Sequence, residues 1–189
     1  MANYAKFTAI VGKKKSGKTF FCKKAINSYI SADENRRVLI IDTYHSENYQ
    51  EYKAISMKNL LIWKKGVKVL VVSPFELDKA LQLLIDNQIN NLLVIIEDSG
   101  KYLQNTVSDT MGIYLRDVKN KGRETICVFH YFTDIPPRLF FLMDGIVIKK
   151  TNDTKVNVKR RTDNPLIMNT FLEVMDDKNE YISKYVSLS

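Results

Sequence analysis

Cysteine is scarce in this chain of 189 residues, which contains only Cys22 and Cys127. Both lie in apolar stretches far apart in the sequence, so we expect two buried thiols in a reducing cytosol and neither a disulfide nor a cysteine-based metal site. Long apolar runs are missing too, because no stretch reaches the roughly eighteen residues that a membrane-spanning helix requires. The amino terminus has no apolar signal core. These absences argue against a secreted or membrane-spanning protein.

The chain also lacks an interdomain linker, an internal repeat and a low-complexity tract. Its hydrophobic content of 45% and charged content of 26% are those of an ordinary globular protein. A chain of this length is long enough to bury a substantial core. We therefore expect a single domain over residues 1–189.

The charge balance is strongly basic, since 29 lysines and arginines oppose 21 aspartates and glutamates, for a net charge of +8. Basic residues cluster at 13–15, 23–24, 64–65, 119–123, 149–150 and 159–161. A spread basic surface suits a polyanion such as nucleic acid, because neutralised phosphates release counterions. The alternative is ordinary solvation of a lysine-rich surface.

Residues 12–19 match the phosphate-binding loop pattern G-x-x-x-x-G-K-[ST] at every fixed position. The segment reads Gly12, Lys13, Lys14, Lys15, Ser16, Gly17, Lys18 and Thr19. Its glycines let consecutive backbone N–H groups face one anion, and a helix beginning near Lys18 adds its positive end. In this pattern the lysine reaches the β- and γ-phosphates and the Thr19 hydroxyl ligates Mg²⁺. The alternative, a lysine-rich surface turn, does not explain the apolar strand at 6–11 and the helical spacing at 20–30 that flank the loop.

Predicted strands and helices alternate along most of the chain. Apolar runs predict strands at 6–11, 37–42, 68–73, 91–97 and 124–130. Helical spacing predicts helices at 18–31, 75–88 and 101–120. This alternation is typical of an α/β protein, and with the loop it predicts a P-loop NTPase three-layer sandwich with a mainly parallel sheet.

The carboxy-terminal part changes character. Two β runs, 145–150 and 155–161, flank the turn-like residues 151–154 and predict a C-terminal β-hairpin. Pro165 then opens a helix that reaches about Asp176, and the last dozen residues form a polar end.

Two acids, Glu97 and Asp98, end the predicted strand at 91–97. Its nearly continuous apolar character indicates a parallel strand buried on both faces. Beside a phosphate loop, such acids hold Mg²⁺ through water or activate the attacking water. Because a strand alternates its faces, Glu97 and Asp98 point in different directions and can divide these roles. By position, Glu97 is the metal carboxylate and Asp98 the base, whereas side-chain length favours the exchanged roles. The alternative to a functional role for either acid is a solvated loop.

Strands at 37–42 and 67–73 come between the phosphate loop and the two acids. An intervening strand is the arrangement of additional-strand ATPases, whereas simple nucleotide kinases usually place the carboxylate strand next to the loop strand. The sequence therefore favours an ATPase over a kinase.

Three further segments resemble motifs of the FtsK–HerA pumping ATPases. Residues 40–49 resemble the second-strand motif, in which an Asp ends the strand and a Glu/Tyr pair follows. Residues 123–130 are similar to the sensor strand, and 133–138 resemble an Ile-Pro-x-Arg-type stretch. With the loop, the resemblance covers residues 4–162. The chain departs from the family by His130 in place of the common Gln and by Glu97-Asp98 in place of Asp-Glu.

The resemblance implies an ATP-hydrolysing DNA translocase that uses ATP and Mg²⁺ and works as a homo-oligomeric, hexameric ring. It implies that His130 senses the γ-phosphate and that a neighbouring subunit supplies a charge-stabilising arginine, either Arg123 or Arg138. In such a ring Lys13–Lys15 lie near a subunit boundary. A chain of this size resembles a viral genome-packaging motor more than a chromosome pump. This implies DNA and capsid or vertex proteins as partners, and the host cytoplasm or the virion as location.

Other assignments remain open from the sequence. A small nucleotide or nucleoside kinase has a similar size and charge, although Arg160-Arg161 after a predicted hairpin make a poor mobile lid. A Zot-like morphogenesis protein would bind nucleotide as a switch, and such relatives usually carry a membrane helix. His130 can be a structural histidine and Asp42 can cap a turn. However, Asp42, Glu97 and His130 all fall at the carboxyl ends of predicted parallel strands, where α/β sheets bind ligands.

Overall fold

A computed structural model of the protein describes residues 7–103, 106–118 and 122–188. Within these residues the strands are β1 Phe7–Val11, β2 Arg37–Asp42, β3 Lys53–Ile55, β4 Gly66–Val71, β5 Leu92–Ile96, β6 Arg123–Phe129, β7 Gly145–Lys149 and β8 Ser183–Ser187. The α-helices there are α1 Lys18–Ser31, α2 Leu77–Asp86, α3 Ser99–Leu103, α4 Asp109–Asp117, α5 Lys155–Lys159 and α6 Pro165–Asp176. Short 3₁₀ turns occupy Glu47–Tyr49, Met57–Leu61, Pro74–Glu76, Phe132–Asp134 and Pro137–Phe141.

The strands of the described residues are hydrogen-bonded in the order β3-β4-β2-β5-β6-β1-β7-β8. β1 pairs in parallel with β7, and β2 pairs in parallel with both β4 and β5. β8 runs antiparallel to β7. The predicted mainly parallel α/β sheet is therefore confirmed. In this order β6 lies between the loop strand β1 and the strand β5 that precedes the two acids. The strands expected at 37–42 and 67–73, which are β2 and β4, lie beyond β5.

Contacts between Cα atoms divide the chain into two compact units. The described residues of Met1–Lys18, Asp98–Val107 and Cys127–Ser189 form the first unit. Those of Thr19–Glu97 and Ser108–Ile126 form the second. A single domain over residues 1–189 stays a prediction.

The core of the second unit is built on β2 and β5. All residues of β5 and Val38–Asp42 of β2 are buried, as parallel strands covered on both faces require. One face of α2 adds Leu77, Ala80, Leu81 and Leu84, whose spacing is that of a helix stripe. Cys22 of this unit and Cys127 are both buried and outside any disulfide, as predicted, and burial raises the pKa of Cys127 to about 12.

In the first unit, β1 and β7 are buried along their whole lengths. At the start of the pair, Oδ2 of Asp144 accepts a hydrogen bond from Phe7 N at 2.9 Å. The parallel register pairs Val11 with Ile148. Beyond this last pair, at the carboxyl ends of the two strands, β1 leads into the phosphate loop and β7 continues to Lys149.

The C-terminal antiparallel pair exists, but the position predicted for its second strand was wrong. Residues 155–159 form α5, because the Thr154 side chain caps the helix by accepting from Asn157 N at 3.3 Å. The alternating valines that suggested a strand instead leave Val156 exposed and Val158 buried. The antiparallel neighbour of β7 is β8, within the segment predicted as a polar end.

The predicted helix at 101–120 is two helices, α3 and α4. Ser108 starts the second, because its Oγ accepts from Met111 N at 3.1 Å. The expected end of that helix at 119–121 lies outside the described residues. The helix predicted at 75–88 begins as a 3₁₀ turn with a Ser73/Glu76 capping box, and α6 has the predicted bounds. None of the described helices is both long and apolar enough to cross a lipid bilayer.

Candidate active site

The phosphate-loop pattern forms the connection between β1 and α1. Gly12 N donates to Phe129 O at 3.2 Å, and Lys13 N donates to Lys150 O at 2.7 Å. These bonds attach the start of the loop to the ends of β6 and β7. The backbone of the loop is therefore fixed to the sheet, as a site that holds an anion through backbone N–H groups requires.

Lys149 occupies the space that the loop glycines leave open. A Cβ atom on Gly12 would lie 2.8 Å from Cβ of Lys149 and 2.7 Å from Oγ of Ser16, closer than packed atoms approach. The Nζ atom of Lys149 lies 3.5 Å from the position of a Cβ on Gly17, whose φ of 85° itself favours glycine. Lys149 is only 4% exposed. A second ammonium group therefore lies beside the loop, and the sequence does not reveal it because its position depends on the β1–β7 pairing.

The remaining loop side chains differ in their surroundings. Lys13 forms a salt bridge with Glu180 at 2.8 Å, whereas Lys14 and Lys15 are exposed. Ser16 is buried, and its Oγ has no hydrogen-bond partner among the described residues. A buried hydroxyl without a partner is uncommon in proteins and fits a site whose ligand supplies the missing bond.

Lys18 is buried and bonded within its own loop. Its Nζ donates to the carbonyl oxygens of Gly12 at 2.6 Å and Lys13 at 2.9 Å. The same nitrogen lies 3.3 Å from Nδ1 of His130, the residue that follows β6. A buried ammonium group needs such partners to offset its lost hydration. The structure thus brings together the loop lysine and the residue for which the resemblance implies a γ-phosphate sensor.

His130 joins Lys18 to Asp98. Its Nε2 lies 2.7 Å from Oδ1 of Asp98, and Oδ2 of Asp98 forms a salt bridge with Lys101 at 2.7 Å. Nδ1 can accept from Lys18 only when it carries no proton, so this geometry assigns the ring proton to Nε2, which donates to Asp98. The result is a continuous chain of polar contacts from the phosphate loop to the acid after β5.

Asp98 is held in an unusual backbone conformation. Its φ of 45° lies in the left-handed region, which Asp tolerates better than most residues and which recurs at functional sites. The hydrogen bond from His130, helped by Lys101, holds the pKa of this carboxyl below its usual range, although partial burial acts in the opposite direction. Asp98 is therefore ionised at neutral pH and already engaged by two side chains.

Glu97 belongs to the second unit and contacts the segment that resembles the second-strand motif. The hydroxyl of the buried Tyr49 donates to Oε1 of Glu97, and burial raises the pKa of that phenol far above its usual value. Glu97 N donates to Ile41 O at 2.9 Å, so Asp42, the last residue of β2, and Glu97, the residue after β5, lie at one edge of the paired strands. Asp42 Oδ1 accepts from Thr43 N at 2.7 Å, a bond of the turn-capping kind.

The two candidate arginines have opposite surroundings. Arg123 is 1% exposed, and its guanidinium donates to Ile89 O and Leu84 O, each at 2.8 Å. Two of its nitrogens are thus bonded inside its own unit, which does not support a reach to a neighbouring subunit; that role of Arg123 stays a prediction. Arg138 is exposed in the 3₁₀ turn Pro137–Phe141 and stays a candidate.

The residues present fit a nucleotide and Mg²⁺. The anchored loop, the orphaned hydroxyl of Ser16 and two buried ammonium groups suit phosphates. Among the described residues, no group of three or more His, Cys, Asp or Glu side chains is placed to hold a metal by itself. Mg²⁺ at nucleotides is usually held by one or two protein oxygens together with phosphates and water. Asp98 in the first unit offers such an oxygen, and in the second unit the half-buried Thr19 and Glu97 do so.

Neither a protein-family model nor a curated protein matches this sequence. Solved structures match its fold. The genome-packaging NTPase B204 of Sulfolobus turreted icosahedral virus 2, in complex with sulfate, has a TM-score of 0.79 at 19% identity, over 97% of this chain and 91% of B204. Its complex with ATP-γS has a TM-score of 0.74 at 17% identity, over 95% of each chain.

B204 of Sulfolobus turreted icosahedral virus, described as a DNA-packaging ATPase, matches at a TM-score of 0.70 and 15% identity, over 95% of this chain and 96% of that one. At these identities the likeness is one of fold. It extends over nearly the full length of both chains, and it confirms the P-loop NTPase fold that the loop and the strand pattern predict.

Proposed function

We propose that this protein is an ATP-hydrolysing DNA translocase of the FtsK–HerA type, which moves a viral genome into a capsid. The observation that carries the proposal is the chain of contacts from Lys18 through His130 to Asp98. Kinases, switches and motors all use a phosphate loop. A polar residue that contacts both the loop lysine and an acid is what a γ-phosphate sensor needs, and the fold shared with genome-packaging NTPases supports the same conclusion.

Lys18 changes partners when ATP binds. Its ammonium leaves the carbonyl oxygens of its own loop for the β- and γ-phosphate oxygens, where the negative charge is greater. Lys149 adds a second positive charge beside the loop, and the hydroxyl of Ser16 gains its missing partner. His130 remains next to Lys18, so the position of its ring follows the presence of the γ-phosphate.

The different surroundings of Asp98 and Glu97 favour different roles for the two acids. Asp98 is held by His130 and Lys101 and stays ionised, which suits it to a fixed electrostatic role. With Thr19 it would hold Mg²⁺, which supplies charge neutralisation at the β- and γ-phosphates. Glu97 then activates the attacking water, because a carboxylate with a lowered pKa is the weaker base of the pair. This is the assignment that side-chain length suggested.

Assembly completes the site. The exposed Arg138 reaches a neighbour's nucleotide and stabilises charge on the transferred phosphoryl group, and a hexameric ring provides such neighbours. The partners are DNA and capsid or vertex proteins, in the host cytoplasm or the virion. The net charge of +8 is consistent with DNA as the substrate that is moved.

The test is the rate of phosphate release from Mg-ATP with and without double-stranded DNA, measured beside the mass of the protein in solution. A motor shows stimulated release and a nucleotide-dependent oligomer. A protein that stays monomeric and shows no stimulation is not a ring motor, and transfer of phosphate to a nucleoside acceptor would identify a kinase instead. A Glu97→Gln, Asp98→Asn double variant that kept its biological function would indicate a Zot-like nucleotide switch.

A further inference from the structure

A cleft of about 420 Å³ lies in the first unit. Two segments line most of it: the 3₁₀ turn Pro137–Phe141 and residues 159–164, which join α5 to α6. None of its lining residues belongs to the phosphate loop or to the acids after β5. The proposed ATPase chemistry therefore leaves this cleft without a role.

The chemistry of the cleft is basic and aromatic. Three consecutive cations, Lys159–Arg161, contribute to its lining, and Asp163 is the acid among the lining residues. Lys159 and Arg160 are exposed, and no hydrogen bond or ion pair with another described residue engages their side chains. Phe141, from the other segment, is 89% exposed. Exposed cations beside an exposed ring are the combination with which proteins hold a nucleic-acid strand, through its phosphates and through stacking or sugar contacts.

We propose that this cleft binds the DNA that the protein moves, with phosphates on Lys159 and Arg160 and the ring of Phe141 against a base or a sugar. The proposal rests on the proposed function and names a contact surface for its substrate. Phosphate groups fit the cleft better than apolar surface does, because transferring exposed, unpaired cations into an apolar interface carries a large desolvation cost. The positive charge of the cleft therefore favours a polyanion as its ligand.

The cleft shares a backbone segment with the sensor residue. Arg161, which lines the cleft, donates from its guanidinium to Thr133 O, three residues after His130. Phe132 N of the same segment donates to Asp153 Oδ2 at 2.8 Å, at a site that precedes α5. A displacement of His130 by the γ-phosphate therefore reaches the base of the cleft through a short, hydrogen-bonded piece of chain. Through this connection, ATP turnover changes the affinity of the cleft for DNA.

The experiment compares the wild-type protein with a Lys159→Ala, Arg160→Ala double variant and with Phe141→Ala. The control is a Lys64→Ala, Lys65→Ala double variant, which removes the same charge from exposed residues of the second unit. Binding of labelled single- and double-stranded oligonucleotides is followed by fluorescence anisotropy over a range of salt concentrations. Phosphate release is measured for each protein with and without DNA.

The cleft double variant is expected to lose about tenfold in DNA affinity and to lower the slope of log affinity against log salt by about 1.4 to 1.8, the value for two phosphate contacts. Phe141→Ala is expected to weaken single-strand binding about fivefold or more if the ring stacks on a base, and to weaken both strand types if it contacts a sugar. Phosphate release without DNA stays within about twofold of wild type, because none of these residues belongs to the phosphate site.

The outcomes separate the cleft from the proposed function. If wild type binds DNA and the cleft double variant binds it as well as the charge-matched control, the cleft proposal is wrong and the motor stands. If wild type hydrolyses ATP but binds neither oligonucleotide, both proposals fail. A cleft variant that binds DNA normally but no longer assembles would show that the cleft holds a second copy of the chain, which also overturns the proposal.

Discussion

The Nζ atom of Lys18 lies 3.3 Å from Nδ1 of His130, so the lysine of the phosphate loop and the residue after β6 share one contact. The opposite nitrogen of the ring lies 2.7 Å from Asp98. One imidazole ring thereby connects the lysine of the loop to the acid that follows β5.

Substitution of His130 is expected to lower the rate of ATP hydrolysis much more than the affinity for nucleotide. His130→Ala is expected to lower the rate of phosphate release about 10- to 100-fold, because it removes both contacts of the ring. The affinity for ATP-γS, measured by calorimetric titration, stays within about threefold, since the backbone contacts of the loop are unaffected. His130→Gln is the control, because an amide offers one acceptor and one donor and retains more of the rate. Equal rates for His130→Ala and wild type would assign the histidine a structural role.

Single substitutions of the two acids distinguish the base from the fixed carboxylate. Glu97→Gln is expected to lower phosphate release about a hundredfold or more while nucleotide binding persists. Asp98→Asn is expected to lower the rate less and to raise the Mg²⁺ concentration needed for half-maximal activity. The measurement is a steady-state rate over a Mg²⁺ titration. The reverse pattern would make Asp98 the base and Glu97 the metal carboxylate.

Asp98→Asn is also expected to change the pH dependence of stability. The pKa of Asp98 is lower in the folded protein than in the unfolded chain, chiefly because His130 donates to it. Such a group stabilises the fold above its unfolded pKa of about 3.9, and this contribution is lost as pH falls toward the folded value. We expect the variant to lower the free energy of unfolding by about 1–2 kcal/mol at pH 7. Urea unfolding at a series of pH values should show this difference shrinking below about pH 4, and a constant difference would contradict the assignment.

Lys149 and Lys150 form a matched pair of neighbouring lysines with different expected roles. Lys149→Met is expected to weaken binding of ADP and ATP-γS about tenfold, because its ammonium lies beside Gly17 of the loop. Lys150→Met is expected to lower the free energy of unfolding by about 1–2 kcal/mol, because its Nζ donates to the carbonyl oxygens of Met175 and Asp177 at the end of α6.

Calorimetric titration and urea unfolding of both variants separate the two effects. Similar losses of nucleotide affinity in the two variants would show that the substitutions act through the strand end and not through the Lys149 ammonium group.

Substitutions of Arg123 and Arg138 are expected to change different quantities. The first changes the free energy of unfolding, and the second changes the rate of DNA-stimulated phosphate release. Arg123→Met is expected to lower the free energy of unfolding by about 2–3 kcal/mol, because it leaves buried carbonyl oxygens of α2 and its following turn without their donor. Arg138→Ala is expected to leave stability unchanged and to lower DNA-stimulated phosphate release at least about a thousandfold, as loss of a trans arginine does.

Mixing the Arg138 variant with an equal amount of Lys18→Ala protein tests the origin of that loss. The mixture is expected to regain part of the rate, because an intact loop in one subunit then meets an intact arginine in the next. No recovery in mixed oligomers would argue against a contribution from the neighbouring subunit.

Local patterns in the chain predict most of the fold and the loop. The apolar runs at β1, β2 and β5 and the capped α6 depend on neighbours a few residues away, so their positions follow from sequence. The strand at 183–187 does not, because its pairing with the distant β7 decides it. The helix at 155–159 has a local cap from Thr154, but this signal competes with an apparent strand pattern. The valine alternation at 156 and 158 is compatible with both structures.

The sequence by itself determines that this protein carries a phosphate loop on an α/β sheet, that two acids end a buried strand, and that the chain is basic. These features are encoded within short segments. Only the tertiary structure decides that Lys149 lies beside the loop, that Arg123 is buried and that His130 joins Lys18 to Asp98. Each of these depends on which strands become neighbours in the sheet, and that choice is set by the packing of the whole core rather than by any local run of residues.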